Sequence, residues 1–245
     1  MIEHPSPNYN DRPAGCLVDT IVIHYTGMQT AAEALARLCD RDAQVSAHYL
    51  IDLEGQVYSL VAEEKRAWHA GVSHWQGVDN LNHSSIGIEL VNKGHEFGYH
   101  EFPARQISSL IQLLKAIHSR HPVIPGKVVG HSDIAPERKQ DPGERFPWQR
   151  LFDQGFGLLP VKTATVKDTG PVLKVGDSGP QVAAAQAQLA AVGYAVRQSG
   201  LYDQNTEMCV RAFQRHWRQE NISGDLDCET LIRLDNIKQQ ILETI

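Results

Sequence analysis

Gly130-His131-Ser132-Asp133-Ile134-Ala135-Pro136-Glu137-Arg138-Lys139-Gln140-Asp141-Pro142-Gly143 follows the β-type run Lys127-Val128-Val129. It sets an imidazole, an ammonium and a carboxylate in one loop punctuated by proline and glycine. A second imidazole, His24, ends the apolar run Thr20-Ile21-Val22-Ile23 and is followed by Tyr25-Thr26-Gly27. His24, His131 and Asp141 can supply the three protein ligands of a zinc site whose fourth position stays open to water. That layout belongs to hydrolytic metal centres rather than to closed structural ones.

Outward from these loops, the first 150 or so residues alternate strand-like and helix-like segments. Strands are expected at 18–24, 46–53, 56–61, 85–92 and 127–131, with Asp52-Leu53-Glu54-Gly55-Gln56 as a hairpin turn. Helices are expected at 30–42 and at 103–120, where Ile107, Leu110, Ile111, Leu114 and Ile117 recur at helical spacing. The pattern predicts an α/β (α+β) fold with a central mixed β-sheet flanked by helices, followed by a small three-helix domain. Residues 159–171 lack apolar periodicity and read as a linker, so 1–158 would form the first domain and 172–245 the second. Helices in the latter are expected at Gln181–Val192, Thr206–Glu220 and Asp227–Leu234, with a tail helix after them.

Hydrophobic content of 42% with 21% charged residues suits a soluble globular protein. A formal net charge of −6 argues against a nucleic-acid partner, which favours a basic face. No apolar run has the length of a bilayer span, and the start, Met1-Ile2-Glu3-His4-Pro5, shows no export signal. Cys16, Cys39, Cys209 and Cys228 have no metal-type spacing and read as unpaired thiols, with two disulfides left open.

Five co-linear motifs carry a resemblance. They are Ile23-His24-Tyr25-Thr26, Ser46-Ala47-His48-Tyr49-Leu50-Ile51, Arg66-Ala67-Trp68-His69-Ala70-Gly71, Ser85 to Asn92, and Gly130 to Ala135 continuing to Asp141-Pro142-Gly143. Together they resemble the zinc-dependent N-acetylmuramoyl-L-alanine amidases, whose fold is shared with phage lysozyme-type amidases and peptidoglycan-recognition proteins. The C-terminal part resembles the peptidoglycan-binding module through Leu173 to Gly179, Gly193-Tyr194, Gly200-Leu201-Tyr202, Ala212-Phe213-Gln214 and Ser223-Gly224.

The resemblance implies zinc ligation by His24, His131 and Asp141, a general base at Glu89 and an oxyanion-stabilising cation at Lys139. It implies peptidoglycan or muropeptides as substrate, in the periplasm or cell envelope. Ala47 stands where phage-type relatives carry a catalytic tyrosine, which places the proton transfer on Glu89. Trp68, His69 and Asn92 are expected to line the groove, and His48 to be a supporting histidine rather than a ligand. Holding the enzyme on the wall is the task expected of 172–245. Its deletion should therefore weaken sacculus binding far more than cleavage of a small muropeptide. Two alternatives stay open: a non-catalytic wall-recognition protein, and a cytosolic amidase recycling anhydro-muropeptides. A general zinc peptidase is disfavoured, because a helical His-Glu-x-x-His is absent.

Overall fold

The structure is a computed structural model that describes residues 1–161, 170 and 172–244. Most of the expected linker, 162–169 and 171, lies outside the described residues.

In chain order the elements begin with β1 (Ile2–Glu3), β2 (Tyr9–Asp11), β3 (Thr20–Tyr25) and α1 (Ala31–Cys39). Next come β4 (Tyr49–Ile51), β5 (Val57–Ser59), β6 (Lys65–Ala67), β7 (His74–Trp75), β8 (Val78–Asp79) and β9 (Ser85–Leu90). Then follow α2 (Gly94–Phe97), α3 (Ala104–His118), β10 (Val128–Gly130), α4 (His131–Ile134) and α5 (Trp148–Phe152). The C-terminal part contributes α6 (Pro180–Val192), α7 (Gln204–Trp217) and α8 (Cys228–Glu243).

Six strands make one mixed sheet in the order β1-β5-β4-β9-β3-β10. Its centre, β4-β9-β3-β10, is parallel, while β5 runs antiparallel to β4 through the expected hairpin. Parallel strands are covered on both faces and so tolerate continuous apolar runs. Ile21, Val22 and Ile23 accordingly have no exposed surface. The two faces bury different partners. Ile21, Ile23, Ile86, Ile88 and Leu90 pack under α3, which contributes Ile107, Leu110, Leu114 and Ile117. On the opposite face Leu50 meets Ala34 and Leu38 of α1, and Val22 and Val129 meet the C-terminal helices.

That last contact joins the two halves. One buried cluster runs from Val22, Trp75, Leu81, Val129, Ile134 and Leu158 into Val182, Leu189, Tyr194, Val210, Phe213, Trp217 and Ile241. The small helical part therefore packs its helices on one another and continues that core onto the sheet.

Other differences from expectation are local. The third helix and the tail helix are one 16-residue helix, α8, opened by Asp227, whose side chain accepts the Thr230 N–H at 2.9 Å. The short strands β6, β7 and β8 carry polar residues, and their pairing left no alternating pattern to read. All four cysteines are free. No helix among the described residues is long and apolar enough to cross a membrane.

Candidate active site

The register of the parallel strands lines up the site. His24 on β3 is the direct partner of Glu89 on β9, and Gly130 pairs with Ile23, so His131 begins one step beyond, level with His24. Glu89, His24 and His131 thus form a row at the carboxyl ends of three neighbouring parallel strands. Functional side chains gather at such strand ends because the loops there leave an open crevice. Asp141 returns to this row as the Ser132 N–H donates to its carbonyl at 2.8 Å.

Three donor atoms converge. His24 Nδ1 is 2.9 Å from His131 Nδ1 and 3.1 Å from Asp141 Oδ2, and His131 Nδ1 is 3.0 Å from the same oxygen. All three residues are buried, and together they could hold a metal ion. The far nitrogen of each ring has a fixed partner. His131 Nε2–H donates to the Ala70 carbonyl at 3.1 Å. His24 Nε2–H donates to His69 Nδ1 at 3.0 Å, His69 Nε2–H donates to Ser85 Oγ at 3.1 Å, and the Ser85 hydroxyl ends on the Leu81 carbonyl. These donors leave each Nδ1 with its lone pair facing the centre, the arrangement that outer hydrogen bonds give to metal-binding histidines.

The electrostatics agree with this assignment. Burial and the nearby His131 lower the His24 pKa to about 4, which keeps the ring neutral. Glu89 goes the other way: burial, then the charge of Asp141, pushes it up to about 8. Its Oε2 is enclosed and has no hydrogen-bond partner among the described residues.

A cavity of about 400 Å³ opens over this row, with Trp68, Lys139 and Arg138 among its walls. The N-acetylmuramoyl-L-alanine amidase family profile matches residues 12–144, more than half of the chain, and a peptidoglycan-binding-domain profile matches 178–234. This chain belongs to the N-acetylmuramoyl-L-alanine amidase family. The amidase is 37% identical over 236 residues to N-acetylmuramoyl-L-alanine amidase AmiD of Escherichia coli (strain K12), covering 87% of this chain and 79% of that protein. The structure of that AmiD in complex with anhydro-N-acetylmuramic acid-L-Ala-D-gamma-Glu-L-Lys matches with a TM-score of 0.78 and 34% identity, over 94% of this chain and 93% of that one. The 1,6-anhydro-N-acetylmuramyl-L-alanine amidase AmpD of Enterobacter cloacae is 36% identical over 164 residues, 60% of this chain and 86% of that protein.

In the amidase, His24, His131, Asp141, Glu89, Lys139, Trp68 and His69 all border the cavity. Asn92 is completely buried, with its amide donating to the His100 carbonyl at 2.8 Å and its Oδ1 accepting the Gly94 N–H at 3.1 Å. It shapes a turn rather than facing the groove. His69 reaches the cavity wall, but both ring nitrogens are committed to His24 and Ser85. His48 accepts the Gly87 N–H at 3.0 Å and makes no contact with the three donors. Sequence reading missed Ser85 and Asn82, whose Oδ1 takes the N–H groups of His69 and Ala70 at 3.0 and 2.8 Å. A serine and an asparagine in a polar stretch carry no signal of such a role, and the Ala70 carbonyl carries none at all.

His69 lies flat against Gly87, where an added Cβ would run into the ring. Gly87→Ala and His69→Phe should therefore loosen the same support of His24, by displacing the ring or by removing its acceptor. Each is expected to weaken metal binding about 10–100-fold, read with added zinc by competition with a chromogenic chelator.

Proposed function

We propose that this chain hydrolyses the amide bond between the lactyl group of N-acetylmuramic acid and the L-alanine of the stem peptide, in peptidoglycan and in muropeptides. The observation that carries this reading is the convergence of His24, His131 and Asp141 beside Glu89, whose Oε2 is enclosed and unpartnered among the described residues, in a chain of this family. Two imidazoles, each oriented from behind, and one carboxylate suit zinc, and His24, His131 and Asp141 would hold it. When bound, the zinc supplies a Lewis acid that polarises the scissile carbonyl and makes water acidic enough to attack near neutral pH.

This chain's own residues then divide the remaining work. Glu89 takes the proton of the attacking water and gives it to the departing alanine nitrogen. Its raised pKa of about 8 suits a group that must both accept and release that proton. Lys139, on the cavity wall, offsets the negative charge that develops on the carbonyl oxygen. Lys139→Met is expected to lower kcat about 10–1000-fold with KM little changed, as steady-state kinetics on a soluble muropeptide would show. Trp68, partly exposed at the cavity and fixed by its indole N–H to Asn10 Oδ1 at 3.0 Å, offers a face for a sugar ring.

In this reading 1–158 is the amidase unit and 172–245 the wall-binding unit, which keeps the enzyme on polymer at the cell envelope. The relatives' names and substrate support acceptance of anhydro-muropeptides as well. The test is digestion of purified sacculi with and without chelator, followed by mass analysis. Release of free stem peptides, abolished by chelation and restored by zinc, is expected. Sacculi that bind the protein and stay intact, together with uncleaved anhydro-muropeptide, would leave only a recognition role.

A further inference from the structure

Two residues past His131, the Asp133 carboxylate is almost completely buried. A buried carboxylate needs donors around it, because desolvation is otherwise too costly. Asp133 has three. The Gly130 N–H donates to Oδ2 at 2.7 Å, which ties the carboxylate back across the first turn of α4, the turn on which His131 stands. The other two come from beyond the linker: His216 Nδ1–H donates to Oδ2 at 2.7 Å and the Tyr194 hydroxyl donates to Oδ1 at 2.9 Å.

Both of these donors are themselves held tightly. The His216 ring is sandwiched between Trp148 and Trp217, with ring centroids 3.7 and 3.9 Å away. The Tyr194 ring meets Trp75 edge-on at 5.1 Å, and the Gln76 N–H donates to the neighbouring Gly193 carbonyl at 3.0 Å. Among the described residues, the one hydrogen-bond partner of these two side chains is Asp133, the residue that closes the His131 turn.

We propose that the C-terminal module is part of the metal centre's support, with His216 and Tyr194 as positioning residues that hold Asp133 and, through it, the turn carrying His131. The inference rests on the reading of His24, His131 and Asp141 as a zinc site. Neither His216 nor Tyr194 touches the donor atoms. They restrict where the His131 ring can stand, by fixing the carboxylate that fixes its helix turn. A zinc site loses affinity when its ligands are free to wander, so this support should be measurable in binding.

The experiment uses the full chain and four variants: Tyr194→Phe, His216→Phe, His216→Asn and Gln219→Ala. The zinc dissociation constant is measured by chelator competition, and kcat and KM on a soluble anhydro-muropeptide are measured separately. Tyr194→Phe and His216→Phe are expected to weaken zinc binding by about tenfold, the lower end of what supporting shells contribute, and to reduce kcat more than they change KM. His216→Asn, whose amide N–H can stand in for Nδ1–H, is expected to recover most of the affinity. Gln219→Ala loses a different bond across the same junction, to the Phe146 carbonyl at 2.8 Å, and should leave zinc affinity unchanged.

Zinc affinity within twofold of the natural chain in both Tyr194→Phe and His216→Phe would overturn the proposal. So would an equal loss in Gln219→Ala, since the effect would then be general loosening of the junction. Should His216→Phe fail to fold, Tyr194→Phe, which removes a single oxygen, decides alone. Because the zinc titration needs no substrate, failure of the amidase reading is separable. A natural chain that binds zinc with this variant pattern, yet cleaves nothing, would remove the proposed reaction and keep this inference.

Discussion

Glu89→Gln should bind zinc as tightly as the natural chain and cleave muropeptide about 10²–10⁴-fold more slowly, the usual contribution of a positioned acid–base group. The substitution keeps the shape of the side chain and removes its ability to take a proton. Glu89 is not one of the three converging donors, so metal affinity is the built-in control. Chelator competition and steady-state turnover on one soluble muropeptide measure both. Undiminished turnover would take Glu89 out of the mechanism.

The same variant carries a stability signature. The folded-state pKa of Glu89, about 8, lies above its ordinary value of 4.5. Between these values the folded protein holds a proton that the unfolded chain has released, so stability from this group falls as pH rises from about 4.5 through 8. In chelated protein, Glu89→Gln is therefore expected to melt higher than the natural chain at pH 8–9, by roughly 2–4 kcal/mol in stability, with the gap closing near pH 4. A gap that is flat with pH would mean that the carboxylate is not strained by burial.

Alternation alone left Glu89 equally readable as a solvent-facing residue. On β9, Ile88 and Leu90 point to α3, so Glu89 points to the other face, and only strand register shows that this face also holds His24. His24, His131 and Asp141 were legible because they occupy glycine- and proline-marked loops after apolar runs. Glu89 and Lys139 took their roles from family resemblance, which the sheet register and the cavity then placed beside the donors. Asn92 was misplaced because an amide near a site looks the same whether it faces a ligand or closes a turn. Asp133, His216 and Tyr194 were invisible for a related reason. Buried polar groups that satisfy one another across long sequence separations leave no periodicity. The helical pattern of 172–245 gave no sign that its core continues onto the sheet, because apolar spacing shows which residues are buried, but not what buries them.

That last point sets the second large effect. A chain truncated at residue 158 is expected to lose cleavage of a small muropeptide together with sacculus binding, contrary to the division of labour suggested by sequence. Truncation uncovers Val22, Trp75, Leu81, Val129 and Ile134, each 1% exposed or less in the full chain. Uncovering large apolar side chains costs about 1.5–3 kcal/mol each, against a total stability of about 5–15 kcal/mol for a typical domain. It also removes two of the three donors to the Asp133 carboxylate beneath the His131 turn. Neither loss is confined to the wall-binding surface. The measurement is thermal unfolding of the 1–158 chain, with zinc affinity and small-substrate turnover on the same preparation. A broad or absent transition, with weak zinc binding and little turnover, is the expected result. A truncated chain with a sharp native-like transition and full activity on the small substrate would show that the sheet face is covered in some other way, and that 172–245 serves the polymer alone.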